Sequence, residues 1–304
     1  MTTQHLRPPI VVGVDGSDSA LRATEWAAAE ALRRKLPLRL VHVCVLPPIR
    51  HPATMSDQAM WIDVLNDNGQ HLLAEAAATA RAVAPTVELV TDQRMGFAAE
   101  VLIEESAGAH AMVLGSRGLG GFQSLLVGSV AIALSAHGHC PVIVVRGAFP
   151  GQAAPGTGPV VVGVDGSPAS EAAIRFAFDE ASVRRTSLVA VHTWLDIAFT
   201  GAWTALPSTI DWDAVEVDET MLLDERLAGW QEKYPDVAVE RVVLRDRPVR
   251  ALLDKAEGAQ LIVVGTRGHG ALLGMGLGST SQALLHHAEC PVAVVRPDPE
   301  GTKS

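Results

Sequence analysis

Gly115-Ser116-Arg117-Gly118-Leu119-Gly120-Gly121, which runs on to Gly128-Ser129, lies between an apolar run, Ala111-Met112-Val113-Leu114, and a helical pattern from Val130 to Ala136. A buried strand therefore enters a glycine-rich loop, and the loop enters a helix N-terminus. The first N–H groups of a helix have no partner inside it, and the helix dipole favours negative charge there. Glycines let the backbone approach a phosphate closely and reach positive φ without strain. Ser129 adds a hydroxyl near the cap. The pattern predicts an anion site with backbone donors near Gly118, Gly128 and Ser129.

The loop returns 150 residues later as Gly265-Thr266-Arg267-Gly268-His269-Gly270, running on to Gly278-Ser279. In both copies nine residues lie between the framing glycines, Gly118 and Gly128 or Gly268 and Gly278. The same offset relates Ile10-Val11-Val12-Gly13-Val14-Asp15-Gly16-Ser17 to Val160-Val161-Val162-Gly163-Val164-Asp165-Gly166-Ser167, His42 to His192, and Cys140-Pro141-Val142 to Cys290-Pro291-Val292. The chain is a duplication. Its halves are read as residues 1–147 and 160–304, joined by a Gly-, Pro- and Ala-rich linker over 148–159.

Within each half, apolar β-rich runs alternate with helical patterns. The first half reads as strands over 10–14, 38–45, 87–90, 111–114 and 142–145, with helices over 20–34, 60–83 and 97–107. The second half reads as strands near 160–164, 188–192, 237–244, 261–264 and 292–295. Near-continuous apolar strands separated by helices predict an α/β fold, with a parallel, doubly wound sheet covered on both faces. Ligands in such sheets bind beyond the carboxyl ends of the strands at the switch point, which Asp15 and Gly115 would flank.

Composition bounds the function. The 304 residues suffice for two domains, and at 48% hydrophobic but 4% aromatic their cores must be aliphatic. A net charge of −10 argues against nucleic acid and anionic membranes as partners. Neither a signal-peptide core nor an apolar run of spanning length occurs, so a cytoplasmic protein is expected. Cys44, Cys140 and Cys290 have no metal spacing and read as buried thiols.

The ordered set of motifs, found twice, resembles the universal stress protein family over nearly the whole chain. The resemblance rests on Val-Gly-Val-Asp-Gly-Ser at 12–17 and 162–167, on His42, on the G-x2-G-x9-G-[S/T] loop and on the closing Cys-Pro-Val-x-Val-Val. It implies two tandem five-stranded sheets of order 3-2-1-4-5, like those of the adenine nucleotide alpha-hydrolases. It also implies ATP in each domain, with Mg²⁺, for the branch that carries the glycine motif. At Val43, and at the equivalent Thr193, the family offers backbone groups to adenine. The residues assigned to nucleotide are thus Gly13, Asp15, Val43, Gly115, Ser116, Arg117, Gly118, Leu119, Gly120, Gly121, Gly128 and Ser129. Their counterparts are Gly163, Asp165, Thr193, Gly265, Thr266, Arg267, Gly268, His269, Gly270, Gly278 and Ser279.

Asp15 and Asp165 keep two readings. Each is a turn or N-cap residue opening the first helix, or a ligand contact. A bare carboxylate repels phosphates, so as a contact it would meet the adenine or ribose side or act through Mg²⁺. Gly13 and Gly163 interrupt β-branched strands, which suggests close approach of a backbone or a ligand. His42 and His192 read as hydrogen-bonded core or pocket-edge residues, and His137, His139, His286 and His287 as surface. No P-loop, no G-x-G-x-x-G after the first strand, no catalytic constellation and no metal set can be placed.

The expected function is an ATP-binding regulator of the stress response with one site per domain and at most slow hydrolysis. Two alternatives stand: an ATP-dependent adenylating enzyme of related fold, which lacks its usual signatures here, and an interaction scaffold with vestigial sites. Beyond ATP, the expected partnership is between the domains themselves. The apolar last strands, Val142–Val145 and Val292–Val295, would pair edge to edge and cover two open sheet edges. A homodimer through such edges is open to the chain. A protein partner is not legible.

Overall fold

A computed structural model describes residues 7–45, 58–118, 127–146, 157–194, 211–268 and 276–297, with side chains from 62 onward in the second of these stretches. The chain forms two units, residues 1–151 and 152–304. The expected linker falls mostly outside the described residues.

Unit 1 alternates β1 (Ile10–Val14), α1 (Asp18–Arg34), β2 (Leu38–Cys44), α2 (Gln58–Val83), β3 (Leu89–Met95), α3 (Ala98–Ser106), β4 (Ala111–Gly115), α4 (Ser129–His137) and β5 (Val142–Val145). Unit 2 repeats the series with β6 (Val160–Val164), α5 (Pro168–Arg184), β7 (Leu188–Thr193), α6 (Trp212–Lys233) and β8 (Val239–Leu244). It closes with α7 (Pro248–Lys255), β9 (Leu261–Gly265), α8 (Ser279–His287) and β10 (Val292–Val295). Unit 1 has the strand order β3-β2-β1-β4-β5 and unit 2 the order β8-β7-β6-β9-β10, with parallel pairing throughout each. The order reverses between β1 and β4, and between β6 and β9, which opens the crevice at the carboxyl ends of those strands.

The central strands form as the pattern requires. Ile10, Val12, Leu40, Met112 and Val113 are fully buried, and so are Val160, Val161, Val162, Ile262 and Val263. Helix α1 starts where Ser17 Oγ accepts the Ala20 N–H at 3.2 Å, and it stops at Lys35, which is left-handed at φ 53°. Ser167 and Arg185 do the same for α5.

The third strand departs from the expectation of 87–90. β3 spans Leu89–Met95 and carries Asp92, Gln93 and Arg94. It ends its unit's strand order and is partly exposed, so packing demands no apolar run there. Arg39 pairs with both Asp92 and Glu105, and Arg94 pairs with Glu105, so charges fasten β2, β3 and α3 together.

A buried ion pair also repeats. Glu30 Oε1 lies 2.6 Å from Arg34 Nε, and Glu180 Oε2 lies 2.8 Å from Arg184 Nε. Among the described residues, no helix is long and apolar enough to cross a membrane.

Candidate nucleotide site

Asp15 directly follows β1, and its carboxylate organises the turn beyond it. Oδ1 accepts the Ser17 N–H at 3.0 Å and lies 2.7 Å from Ser17 Oγ. The turn passes through Gly16, which is left-handed at φ 85°. Asp165 repeats this, with Ser167 N–H on Oδ1 at 3.0 Å and Gly166 at φ 78°. The turn reading of the two aspartates therefore holds, through Oδ1, while the helix N-caps are Ser17 and Ser167. The other carboxylate oxygen, Oδ2, is directed at the glycine loop: a Cβ built on Gly118 would collide with Asp15 Oδ2, and one on Gly268 with Asp165 Oδ2.

Ser17 and Ser19 tie this turn to the loop. Ser17 Oγ lies 3.1 Å from the Arg117 carbonyl, and Ser19 Oγ bonds the same carbonyl and accepts the Arg117 N–H at 3.2 Å. Ser167 Oγ reaches the Arg267 carbonyl at 3.3 Å. A side chain at Gly115 would strike the Ser19 backbone at 2.5 Å, and one at Gly265 the Ala169 backbone at 2.8 Å. These two glycines let the first helix of each unit sit against the loop. Neither serine was assigned to the site from the sequence, although Ser17 lies inside the repeated Asp-Gly-Ser.

The two limbs of the loop meet at one residue. The Gly128 N–H donates to the Ser116 carbonyl at 2.8 Å, and the Gly278 N–H to the Thr266 carbonyl at 2.8 Å. Gly128 and Gly278 are the N-caps of α4 and α8, at φ −71° and −72°, and no side chain caps either helix. Two expectations are corrected here. Positive φ is found at Gly16 and Gly166, in the turn after the first strand, and at none of the described loop glycines; Gly128 and Gly278 are extended. The Gly128 N–H is engaged by Ser116, so the donors left for an anion begin at Ser129, the first helical residue. Among the described residues, a Cβ on Gly128 would meet nothing nearer than 3.8 Å.

The remaining assignments fall as follows. Leu119, Gly120, Gly121, His269 and Gly270 lie outside the described residues. Gly13 is approached by side chains: its Cβ would meet Leu114 at 2.5 Å and Leu102 at 3.1 Å, and Gly163 is similarly covered by Leu252 and Val264. Val43 and Thr193 lie at the ends of β2 and β7. His42 Nδ1 lies 2.7 Å from the Val14 carbonyl, and His192 Nδ1 lies 2.8 Å from the Val164 carbonyl. A carbonyl only accepts, so Nδ1 carries the proton in each ring.

The units differ near these histidines. His192 Nε2 lies 2.8 Å from Glu219 Oε2. Trp194 stacks on Trp212 with ring centroids 5.7 Å apart, and the Arg245 guanidinium lies 4.0 Å from the Trp212 centroid. The position offset by 150 from Trp194 is Cys44, which accepts from Gln93 Nε2 at 3.2 Å. Nothing in the repeat pattern marked this cluster, because α6 has no close sequence counterpart in unit 1.

His137, His139 and His287 are exposed and His286 is partly so. All three cysteines are free thiols. Among the described residues, no group of three or more His, Cys, Asp or Glu is arranged to hold a metal ion.

The family model described as the universal stress protein family matches residues 7–146 and again 157–296. The universal stress protein Rv2623 of Mycobacterium tuberculosis is 41% identical over 303 residues, covering 94% of this chain and 96% of its own. Rv2005c of the same organism, also a universal stress protein, is 43% identical over 295 residues, covering 94% and 96%. A crystal structure of a universal stress protein from Archaeoglobus fulgidus superimposes with a TM-score of 0.69 at 18% identity, over 95% of this chain and 98% of that one. That likeness concerns the fold.

Proposed function

This chain belongs to the universal stress protein family, and from that premise we propose that it is a cytoplasmic regulator of the stress response that holds one ATP, with Mg²⁺, in each unit. The observation that carries the reading is the twin arrangement at the switch point. In each unit a carboxylate oxygen stands where a side chain on the loop glycine would strike it, and the helix that follows the loop starts without a side-chain cap.

The residues fit the ligand. Backbone N–H groups from Ser129 and Ser279 onward would take phosphate oxygens, and charge-assisted bonds of this type contribute about 1.5–3 kcal/mol each. Asp15 and Asp165 would hold the ribose side or the ion through Oδ2. Mg²⁺ commonly binds through one or two carboxylates together with phosphates, and it would offset the repulsion between carboxylate and phosphate. Adenine would lie toward Val43 and Thr193. We place the working domains at 1–147 and 160–304. Pairing of the two halves through Val142–Val145 and Val292–Val295, or of two chains through the same strands, is proposed on the sequence alone.

The test is calorimetric titration of the full chain with ATP and Mg²⁺, followed by chromatography of the released nucleotide. Two sites and intact ATP support the reading. No binding at millimolar ATP overturns it.

A further inference from the structure

We propose that the arginine ending the fifth strand of each unit, Arg146 or Arg296, joins the loop arginine, Arg117 or Arg267, to grip the terminal phosphates of the nucleotide, so that each site selects triphosphate over monophosphate. This rests on the adenine-nucleotide reading above and names the residues that set its phosphate preference.

The junction is Ser116. Its N–H donates to the Val145 carbonyl at 3.1 Å, and its carbonyl accepts the Gly128 N–H at 2.8 Å. Arg117 and Arg146 are the next residues along two adjoining strands, and the start of α4 hangs from the same residue. Thr266 repeats the junction with the Val295 carbonyl and the Gly278 N–H, both at 2.8 Å, and Arg267 and Arg296 follow in the same way. Ser116 and Thr266 are buried, so each pair of arginines leaves from a fixed point. Arg117 and Arg267 are exposed, while Arg146 and Arg296 are half-buried.

The electrostatics agree with the geometry. Burial lowers the Arg146 guanidinium from its usual value, and the charge on Arg117 lowers it further. Arg296 is lowered by burial and then by Arg267. Bringing two like charges together in a chain of net charge −10 costs free energy. An anion with several charged phosphates removes that cost, and a guanidinium meets phosphate oxygens in a bidentate manner. A triphosphate carries more charge than a single phosphate and reaches further from the helix start, so it can meet both guanidinium groups at once.

Calorimetry with ATP, AMP and inorganic tripolyphosphate tests this on the parent, on Arg146→Gln/Arg296→Gln, and on Arg146→Lys/Arg296→Lys. The parent should bind ATP at least tenfold more tightly than AMP, with a gap that narrows as salt rises. The Gln variant should lose at least tenfold in ATP affinity and less than twofold in AMP affinity, and the Lys variant should retain most of the preference. Equal parental affinities, or parallel losses for ATP and AMP, overturn the proposal without touching the site. The parental comparison stands even if the Gln variant fails to fold. If the parent binds neither nucleotide, the adenine reading fails instead. Tripolyphosphate then decides the arginine pairs alone: binding that the Gln variant loses supports them, and no binding refutes them.

Discussion

The Asp15 carboxylate stands so close to Gly118 that a Cβ on the glycine would collide with Oδ2, and Asp165 stands in the same relation to Gly268. The carboxylate cannot easily yield, because Ser17 holds its other oxygen through an N–H and lies within hydrogen-bond reach through Oγ. Gly118→Ala should therefore displace the aspartate and weaken ATP at the first site about tenfold or more, a loss on the scale of one charge-assisted bond. Gly128→Ala is the contrasting variant. Its methyl meets no described atom nearer than 3.8 Å, so the thermal midpoint should stay near that of the parent, yet a side chain beside the start of α4 should weaken ATP. ATP affinity equal to the parent's in both variants, read by calorimetry, would place the nucleotide elsewhere.

The pair Glu180–Arg184 has both side chains almost wholly buried, 2% and 3% exposed. Removing one partner leaves an uncompensated charge in the interior, which costs about 3–5 kcal/mol. Arg184→Ala should lower the urea midpoint of unit 2 accordingly. Arg184→Met together with Glu180→Leu should recover most of the loss, because apolar groups of similar volume carry no desolvation cost. A loss under about 1 kcal/mol for Arg184→Ala, the range of an exposed pair, would show that solvent reaches the pair.

Burial pushes the Cys140 and Cys290 thiols up to about 12. A raised value means that the folded state holds the proton more tightly than the unfolded chain. The stability this contributes is complete below the unfolded value of about 8.5. It is lost as pH rises from there toward 12, by up to about 1.4 kcal/mol per pH unit for each thiol. The thermal midpoint should fall across that window, and it should fall less steeply in Cys140→Ala and Cys290→Ala. At pH 8 both thiols should resist thiol reagents until the protein unfolds. Rapid labelling of the native protein, or a midpoint flat from pH 8.5 to 11, would contradict this.

The fold was legible because duplication doubled every signal. The Asp-Gly-Ser turn, the glycine loop and the closing valines each recurred at one offset, and buried strands must be apolar. The site was legible only as far as motif residues reach. Glu30 with Arg34 and Glu180 with Arg184 also repeat at that offset, but charged residues on a helix read as surface until the packing is seen. Gly13 pointed to a close approach, yet its composition could not distinguish a ligand from Leu114. The stack of Trp194, Trp212 and Arg245 joins residues distant in sequence with no partner in the other half, so periodicity had nothing to detect. Close approach and positive φ both call for glycine, and only the backbone angles separate them, as at the described loop glycines, none of which has positive φ.

The two oxygens of Asp15 face different surroundings, and substitution can part their roles. Oδ1 holds Ser17 and so shapes the turn. Oδ2 faces the loop across Gly118. Asn keeps an acceptor for Ser17 but loses the charge, whereas Ala loses both. Asp15→Asn should therefore leave the thermal midpoint within the small range of a neutral surface change, about 0.5 kcal/mol. Asp15→Ala should cost about 1–2 kcal/mol through the lost hydrogen bonds. The two variants should agree in ATP binding when Mg²⁺ is present, both falling well below the parent, because neither presents an anionic oxygen to the ion. With Mg²⁺ chelated, Asp15→Asn should lose less or even gain, since the repulsion between carboxylate and phosphate is gone. Calorimetry with and without Mg²⁺ reads the difference. If Asp15→Asn binds ATP like the parent in both conditions, the carboxylate serves the turn alone and the ion, if bound, is held by other groups.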